Sequence, residues 1–328
     1  MKKSKIRIGL IGCGTYMWWA HVPHLLKEKH AVIAAVSDPQ QSQIDILLEK
    51  AGGLKCPAYS DYKEMILREN LDGVFISTPH SLHYEQAKFA LENNVHVLVQ
   101  KPFTIRIDHA VKLMALAEKK SRFIMVSYQR FFEGISVYAK ELIEKGQIGD
   151  IRAVACRITQ SWGNVKGWRG EPEFSGGGFM MDTGSHLVSA MLRVTGLKPV
   201  QVTAITENYD KKVDLASGVL LRFNNGAIGT MSFFGNAARF EESVVVHGTK
   251  GYLILKNCQT KPKKLIVNDE ELTVPAKYKP ASPDSTFIGW IRTGGKGYTP
   301  PHTGLDTIKL SDAIYRAARA GKAVRLKL

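Results

Sequence analysis

Up to about Tyr128 the chain alternates short β-branched, apolar runs with segments of helical period. Residues 6–11, 32–37, 58–60, 73–77, 95–99 and 123–126 read as strands. Residues 40–51, 82–93 and 109–119 read as helices, each opening after a turn-like or capping residue, and Asn93-Asn94 closes the middle one. Strands and helices in this rhythm build βαβ units, so a parallel sheet is predicted.

After a helical stretch at 135–144 and a glycine turn at 146–149 the texture changes. Longer runs of alternating polarity follow at 151–158, 201–206 and 218–223, and Asn224-Asn225-Gly226 joins two of the strand-like runs as a hairpin. This half is predicted to be α+β with a large, mostly antiparallel open sheet, and a helix at 303–320 runs up to Gly321. No repeat or low-complexity region is present.

At 328 residues the chain exceeds the ~250 at which single cores stop growing, so two domains are expected, over 1–127 and 128–328. Cys13, Cys56, Cys156 and Cys258 lie far apart, with no Cys/His cluster at zinc-ligand spacing, which predicts a reducing, cytoplasmic setting and no metal. Lys2, Lys3 and Lys5 before Leu10-Ile11-Gly12-Cys13 have the outline of a lipoprotein signal. Arg7 and Gly9 interrupt that short apolar run, however, and no small-residue tail follows. No run reaches the ~18 apolar residues of a membrane helix. The net charge of +15 is spread along the chain without a nucleic-acid-binding motif, so it reads as a basic surface able to draw in an anionic cofactor.

The first predicted strand runs into Gly12-Cys13-Gly14-Thr15-Tyr16-Met17. The first glycine permits a tight turn and the second lets a pyrophosphate approach the backbone at a helix N-terminus, which is the dinucleotide fingerprint of a Rossmann domain. Met17 departs from it at the third glycine position. Asp38 ends the second strand roughly 20 residues on, where an acidic side chain grips the ribose hydroxyls. No arginine directly follows it, so NAD is expected over NADP, whose extra phosphate the carboxylate repels. The plainer reading of Asp38 is a helix cap, with Pro39 at the first helical position.

Four further stretches act together. Ser77-Thr78-Pro79-His80 with His83 follows the fourth strand, Gln100-Lys101-Pro102 follows the fifth, Trp168-Arg169 stands upstream of Gly176-Gly177-Gly178, and those glycines lead to Asp182 and His186. In order and spacing the chain resembles the Gfo/Idh/MocA family of oxidoreductases, to which glucose–fructose oxidoreductase and inositol dehydrogenases belong, and the ending from Gly304 to Val324 resembles that family's last helix and strand. The resemblance implies that the family's Glu-Lys-Pro motif falls on Gln100-Lys101-Pro102, with Lys101 meeting both substrate and nicotinamide. It also implies that Asp182 and His186 are catalytic, the histidine moving the proton. The glycine turn through Met17, Asp38, Thr78, Pro79, His83, Gln100 and Lys101 are then expected at the cofactor. Tyr128, Trp168, Arg169, Asp182, His186 and Lys101 are expected at a substrate lying between the domains.

The residues carry the same chemistry without the family. Lys101 follows a strand end, where open parallel sheets bind ligands, and residues four apart on one helix face can both point at one carbon. Histidine titrates near neutral pH, as a proton carrier must. Taken singly, Lys101 reads as a solvated lysine, Asp182 as a cap and His186 as structural. Gln100 in place of the family's glutamate removes a charge beside Lys101, and Ser189 stands where relatives often carry aspartate. Gln129 and Arg130 are further candidates for the cleft, and His302, after Pro300-Pro301, for the substrate. Trp18 and Trp19 read equally as core or interface.

The expected activity is hydride transfer between NAD and a secondary hydroxyl or ketone of a sugar, inositol or related polyol, by a homodimer or homotetramer built through the C-terminal sheet. Two rivals stand beside it: redox-neutral, NAD-dependent glycoside cleavage, and a cofactor-binding regulator without catalysis.

Overall fold

A computed structural model describes residues 5–258, 261–278, 281–298 and 301–326, which form two compact units. The first consists of the chain up to Thr104, Asp108–Ser127 and Ser282–His302. Its strands are β1 (Ile6–Ile11), β2 (Ala31–Ser37), β3 (Ala58–Tyr59), β4 (Gly73–Ile76), β5 (His96–Gln100) and β6 (Ile124–Ser127). They pair in parallel in the order β3-β2-β1-β4-β5-β6. Ile8, Leu10, Val36, Val74, Phe75, Ile76, Val97 and Leu98 are fully buried, as a sheet covered on both faces requires, and this explains why these strands read as near-continuous apolar runs. Helices follow the strands at Gln41–Lys50, Tyr62–Arg68, His83–Glu92 and Ile107–Lys119. The short Tyr62–Arg68 helix, capped by Asp61 on the Lys63 amide at 2.9 Å, was not among those predicted.

A domain boundary that gives all residues from 128 onward to the second domain needs correction for Ser282–His302, which belongs to the first unit. Within this segment, helix Pro283–Thr293 opens on a capping box between Ser282 and Ser285. Its buried Phe287 meets Phe75 of β4 edge-on at 5.7 Å, and Gly73 gives it room, since a Cβ there would come within 3.0 Å of the Phe287 ring. Nothing in chain order signals that pairing.

The second unit takes in Ile105–Ile107, Tyr128–Ala281 and Thr303–Leu328. Its nine strands are β7 (Ile151–Ser161), β8 (Pro199–Glu207), β9 (Ala216–Phe223), β10 (Ile228–Phe234), β11 (Asn236–Gly248), β12 (Tyr252–Cys258), β13 (Lys261–Val267), β14 (Glu270–Glu271) and β15 (Val324–Arg325). They are ordered β14-β13-β12-β11-β7-β10-β9-β8-β15, antiparallel except for the parallel pair β7–β10. The predicted Asn224-Asn225-Gly226 hairpin joins β9 to β10, with Gly226 at φ +83°. Val219, Leu221 and Phe223 alternate inward along β9 and join Leu187, Val188 and Met191 of helix Gly184–Thr195 and Leu310 and Ile314 of helix His302–Ala320 in one core. Outward, Ile205 of β8 and Leu220 of β9 are 78% and 51% exposed, and Ile228 and Phe234 of β10 share their face. Among the described residues no helix is long and apolar enough to cross a membrane.

Candidate functional site

The carboxyl ends of β1, β2, β4 and β5 gather the first set of candidates. Gly12 turns at φ +85°, and a Cβ there would lie 2.7 Å from both the Ser77 carbonyl oxygen and the Thr78 methyl. Only glycine permits that approach of β1's end to β4's end. A Cβ on Gly14 would meet nothing within 4 Å, so the space beside it is open. A helical turn starts at Thr15, and the positive end of its dipole favours an anion beside Gly14. Asp38 is half-buried and anchored: Oδ2 accepts the Cys13 amide at 2.8 Å and Oδ1 accepts the Gln40 amide at 2.9 Å. Pro39 stays outside the following helix, whose N-cap is Gln40, so Asp38 braces the turn rather than capping a helix with proline at its first position. The remaining acceptor sites of its two oxygens suit a ribose diol. Open space over helix amides beside a fixed carboxylate fits a dinucleotide.

Three predicted cofactor residues turn inward instead. Met17 is fully buried and its amide donates to the Gly14 carbonyl at 3.0 Å. His83 is fully buried, with Nδ1 2.9 Å from the Pro102 carbonyl and Nε2 3.2 Å from the Thr78 carbonyl. Burial holds its imidazole down at about 4, against backbone contacts with Pro102, Thr78 and Phe103 that raise it, with Lys101 adding a small push downward. His83 is therefore neutral between the ends of β4 and β5, where its single N–H donates to only one of the two carbonyls. Gln100 is buried with its amide nitrogen 2.6 Å from Nε2 of His21, whose Nδ1 lies 2.5 Å from Oδ1 of Asp284. Thr15 and Tyr16 remain accessible at the turn, and Thr78 and Pro79 at the end of β4, with the Thr78 hydroxyl donating to Gln86 at 2.6 Å. Lys101 stands half-buried one residue past β5. Trp18 is half-buried and Trp19 largely exposed.

The second set lies in the other unit. A tight turn from Gly178 to Thr183 leads into helix Gly184–Thr195. Asp182 sits in that turn, not on the helix, so the shared-face argument for Asp182 and His186 needs revising: the turn and the helix's first residues set their spacing. Asp182 is buried, its Oδ2 accepting the Arg169 Nε–H at 2.8 Å, while the Arg169 guanidinium lies 4.3 Å over the Trp168 ring. The pair thus predicted for substrate holds the predicted carboxylate. His186 is nearly buried, with Tyr128 edge-on at 6.2 Å and 88°. Ser189 donates to the His186 carbonyl at 3.0 Å, an ordinary intrahelical bond.

Arg130 forks onto the buried Glu242 of β11, with contacts of 3.1 to 3.3 Å. His302 is exposed at the first turn of its helix, and Pro300 before it lies outside the described residues.

Asp214 and Tyr315 were not foreseen. The buried Asp214 carboxylate accepts the Gly178 amide at 2.7 Å, the Met180 amide at 3.0 Å and the Tyr315 hydroxyl at 2.6 Å. A Cβ on Gly178 would collide with the Asp214 carbonyl oxygen at 2.0 Å. Burial and the carboxylate push the Tyr315 phenol upward, so it stays a donor. This clamp fixes the turn that carries Asp182, and no linear spacing announces it.

Residues 6–128 match the family model of oxidoreductases with an NAD-binding Rossmann fold, and residues 136–254 match the GFO/IDH/MocA C-terminal domain. The chain is 25% identical to dTDP-3,4-didehydro-2,6-dideoxy-alpha-D-glucose 3-reductase of Saccharopolyspora spinosa, over 97% of this chain and 99% of that one. To D-glucoside 3-dehydrogenase of Escherichia coli it is 28% identical over 61% of this chain and 57% of the relative. The WlbA dehydrogenase of Bordetella pertussis, solved in complex with NADH and UDP-GlcNAcA, shares the fold with a TM-score of 0.84 at 23% identity, covering 99% of each chain.

Proposed function

As the chain belongs to the Gfo/Idh/MocA family of oxidoreductases, we propose that it transfers a hydride between NAD and a secondary hydroxyl or ketone of a sugar or related polyol. The observation that carries this reading is the anchored Asp38 beside the Gly12 turn and the open space at Gly14, on the sheet edge from which Lys101 also emerges. Bound NAD supplies the hydride acceptor and NADH the donor. The protein supplies orientation and the proton's path. In the oxidative direction His186 takes the hydroxyl proton, and Lys101 serves to polarise a substrate oxygen. Asp182, held by Arg169, orients the imidazole or the substrate. NAD is preferred over NADP through the Asp38 charge.

Both curated relatives are named for position 3 of a glucose-derived ring, and that position is the first to test here. Four cysteines without a disulfide suit a reducing, cytoplasmic setting. The exposed stripe of Ile205, Leu220, Ile228 and Phe234 supports a homo-oligomer through the open sheet face. Ile205→Lys with Leu220→Glu should then move the protein to the monomer's elution volume. The activity is tested by absorbance of reduced nicotinamide over a panel of glucosides, aminosugars and inositols with NAD and NADP. Growth of the NADH signal with at least one sugar is expected. Sugar release without it would favour redox-neutral cleavage, and NAD binding with no turnover on any member would favour a regulator.

A further inference from the structure

The side chain immediately before Lys101 is held by a buried polar chain. Gln100, at the end of β5, is 5% exposed, His21 2% and Asp284 4%, and their contacts are 2.6 Å from amide nitrogen to Nε2 and 2.5 Å from Nδ1 to carboxylate. An imidazole nitrogen that faces an amide NH2 must be the acceptor. Nε2 of His21 therefore carries no proton, Nδ1–H donates to Asp284, and the ring is neutral between an amide and an anion.

Three elements converge to make this chain. His21 closes the π-helical turn Met17–His21, which adds a residue to the first helix after the glycine turn, a device often found at functional sites. The ring is fixed edge-on by Phe75 at 5.3 Å and by Tyr16 at 5.7 Å. Asp284 lies in the first turn of Pro283–Thr293, where the helix dipole favours an anion. Apolar side chains of like volume commonly stabilise a core as well as a buried polar group does. The chain's distinctive property is its direction, from amide to imidazole to carboxylate.

We propose that His21 and Asp284 are positioning residues for the reaction: they clamp the Gln100 carboxamide and, through the backbone joining it to Lys101, set where the lysine is presented. The inference rests on Lys101 facing the substrate. It also makes position 100 selective. A carboxylate has no proton to give Nε2, so Gln100→Glu forces the ring to become imidazolium between two carboxylates. The swap Gln100→Glu with Asp284→Asn restores a neutral ring with the chain reversed, because the new amide donates to Nδ1 and Nε2–H donates to the new carboxylate.

Two measurements test this. Nitrogen-15 NMR of histidine-labelled protein at pH 8, with His21 assigned by its loss in His21→Asn, is expected to show a protonated Nδ1 and a bare Nε2. In Gln100→Glu both should be protonated. A wild-type ring protonated at both nitrogens, or at Nε2 alone, overturns the relay whatever the reaction is. With the sugar found by the panel, Asp284→Asn and Gln100→Glu should each lower kcat by roughly 10- to 100-fold, the scale of a small misplacement, while Kd for NADH changes less than about threefold. The swap should recover most of that loss. Folded single variants with wild-type kcat, or a swap no better than either single, overturn the positioning role. Absence of turnover by the wild type instead overturns the oxidoreductase reading, and the positioning role with it, while the NMR result still reports on the relay.

Discussion

Asp38 offers the sharpest quantitative test of cofactor choice, because its carboxylate is fixed before any ligand arrives. Two backbone amides, of Cys13 and Gln40, hold it at 2.8 and 2.9 Å at the end of β2. A 2′-phosphate on the adenine ribose would sit within ~4 Å of it, where two unit charges repel by about 1 kcal/mol in water and about 4 kcal/mol at the dielectric near a protein surface. The phosphate carries more than one charge. The half-buried carboxylate lies toward the wetter limit, so the penalty is about 2–4 kcal/mol, or roughly 30- to 1000-fold in affinity. Asp38→Asn keeps an acceptor for one of the two amides and removes the charge. Its ratio of Kd for NADPH to Kd for NADH should fall by at least ~30-fold, most of it from tighter NADPH binding. Tryptophan-fluorescence titration with both reduced cofactors at fixed ionic strength reads the ratio without needing a substrate. Salt near 0.1 M should shrink the wild-type preference only slightly, since ~4 Å lies well inside the ~10 Å Debye length, and salt near 1 M, where that length is ~3 Å, should shrink it more. A ratio shifted by less than about threefold would refute the reasoning and leave Asp38 a brace for the glycine turn.

Other consequences are checked in the same preparations. His186→Ala should lower kcat by about 100-fold or more, the scale of a lost general acid–base, with circular dichroism unchanged. His83 is held at about 4 against an ordinary 6.5, so between those values the unfolded chain binds the extra proton. Stability should therefore fall as pH drops through that window, by about 3 kcal/mol at most from this residue. Urea unfolding at pH 7 and pH 4.5 should show the loss, and His83→Gln should reduce it. Asp214→Ala strips three donors of one buried acceptor and should cost about 3–6 kcal/mol, read as a large drop in urea midpoint with slower turnover in whatever remains folded.

The sheet of the first unit was legible because both its faces are covered: β1, β2, β4, β5 and β6 come out of the sequence as apolar runs, with edges off by a residue or two, as at β5, which ends on Gln100 rather than Val99. The second sheet showed itself through alternation, clearest in β9, and through the Asn-Gly turn. What stayed hidden depends on contacts far apart in the chain. His21 and Asp284 are separated by 263 positions, and no spacing in the sequence links them. Asp214 serves the Gly178 turn from 36 positions away. Helix Pro283–Thr293 was missed although Ser282-Pro283 with Ser285 marks its start, and only its place in the first unit, decided by the fit of Phe287 against Phe75, has no linear signature. His83 and Met17 illustrate the converse: neighbours of a motif, read as ligands by proximity, whose side chains the fold needs inside.

The central claim is that a hydride moves from a sugar carbon to the nicotinamide under proton transfer by His186. It is tested most directly with a glucoside deuterated at carbon 3, incubated with NAD and followed by mass spectrometry of the recovered cofactor. The account predicts reduced cofactor one deuterium heavier, formed at least about 100-fold more slowly by His186→Ala. Reduced cofactor without deuterium from any ring carbon tried, or the same rate in the variant, would contradict it.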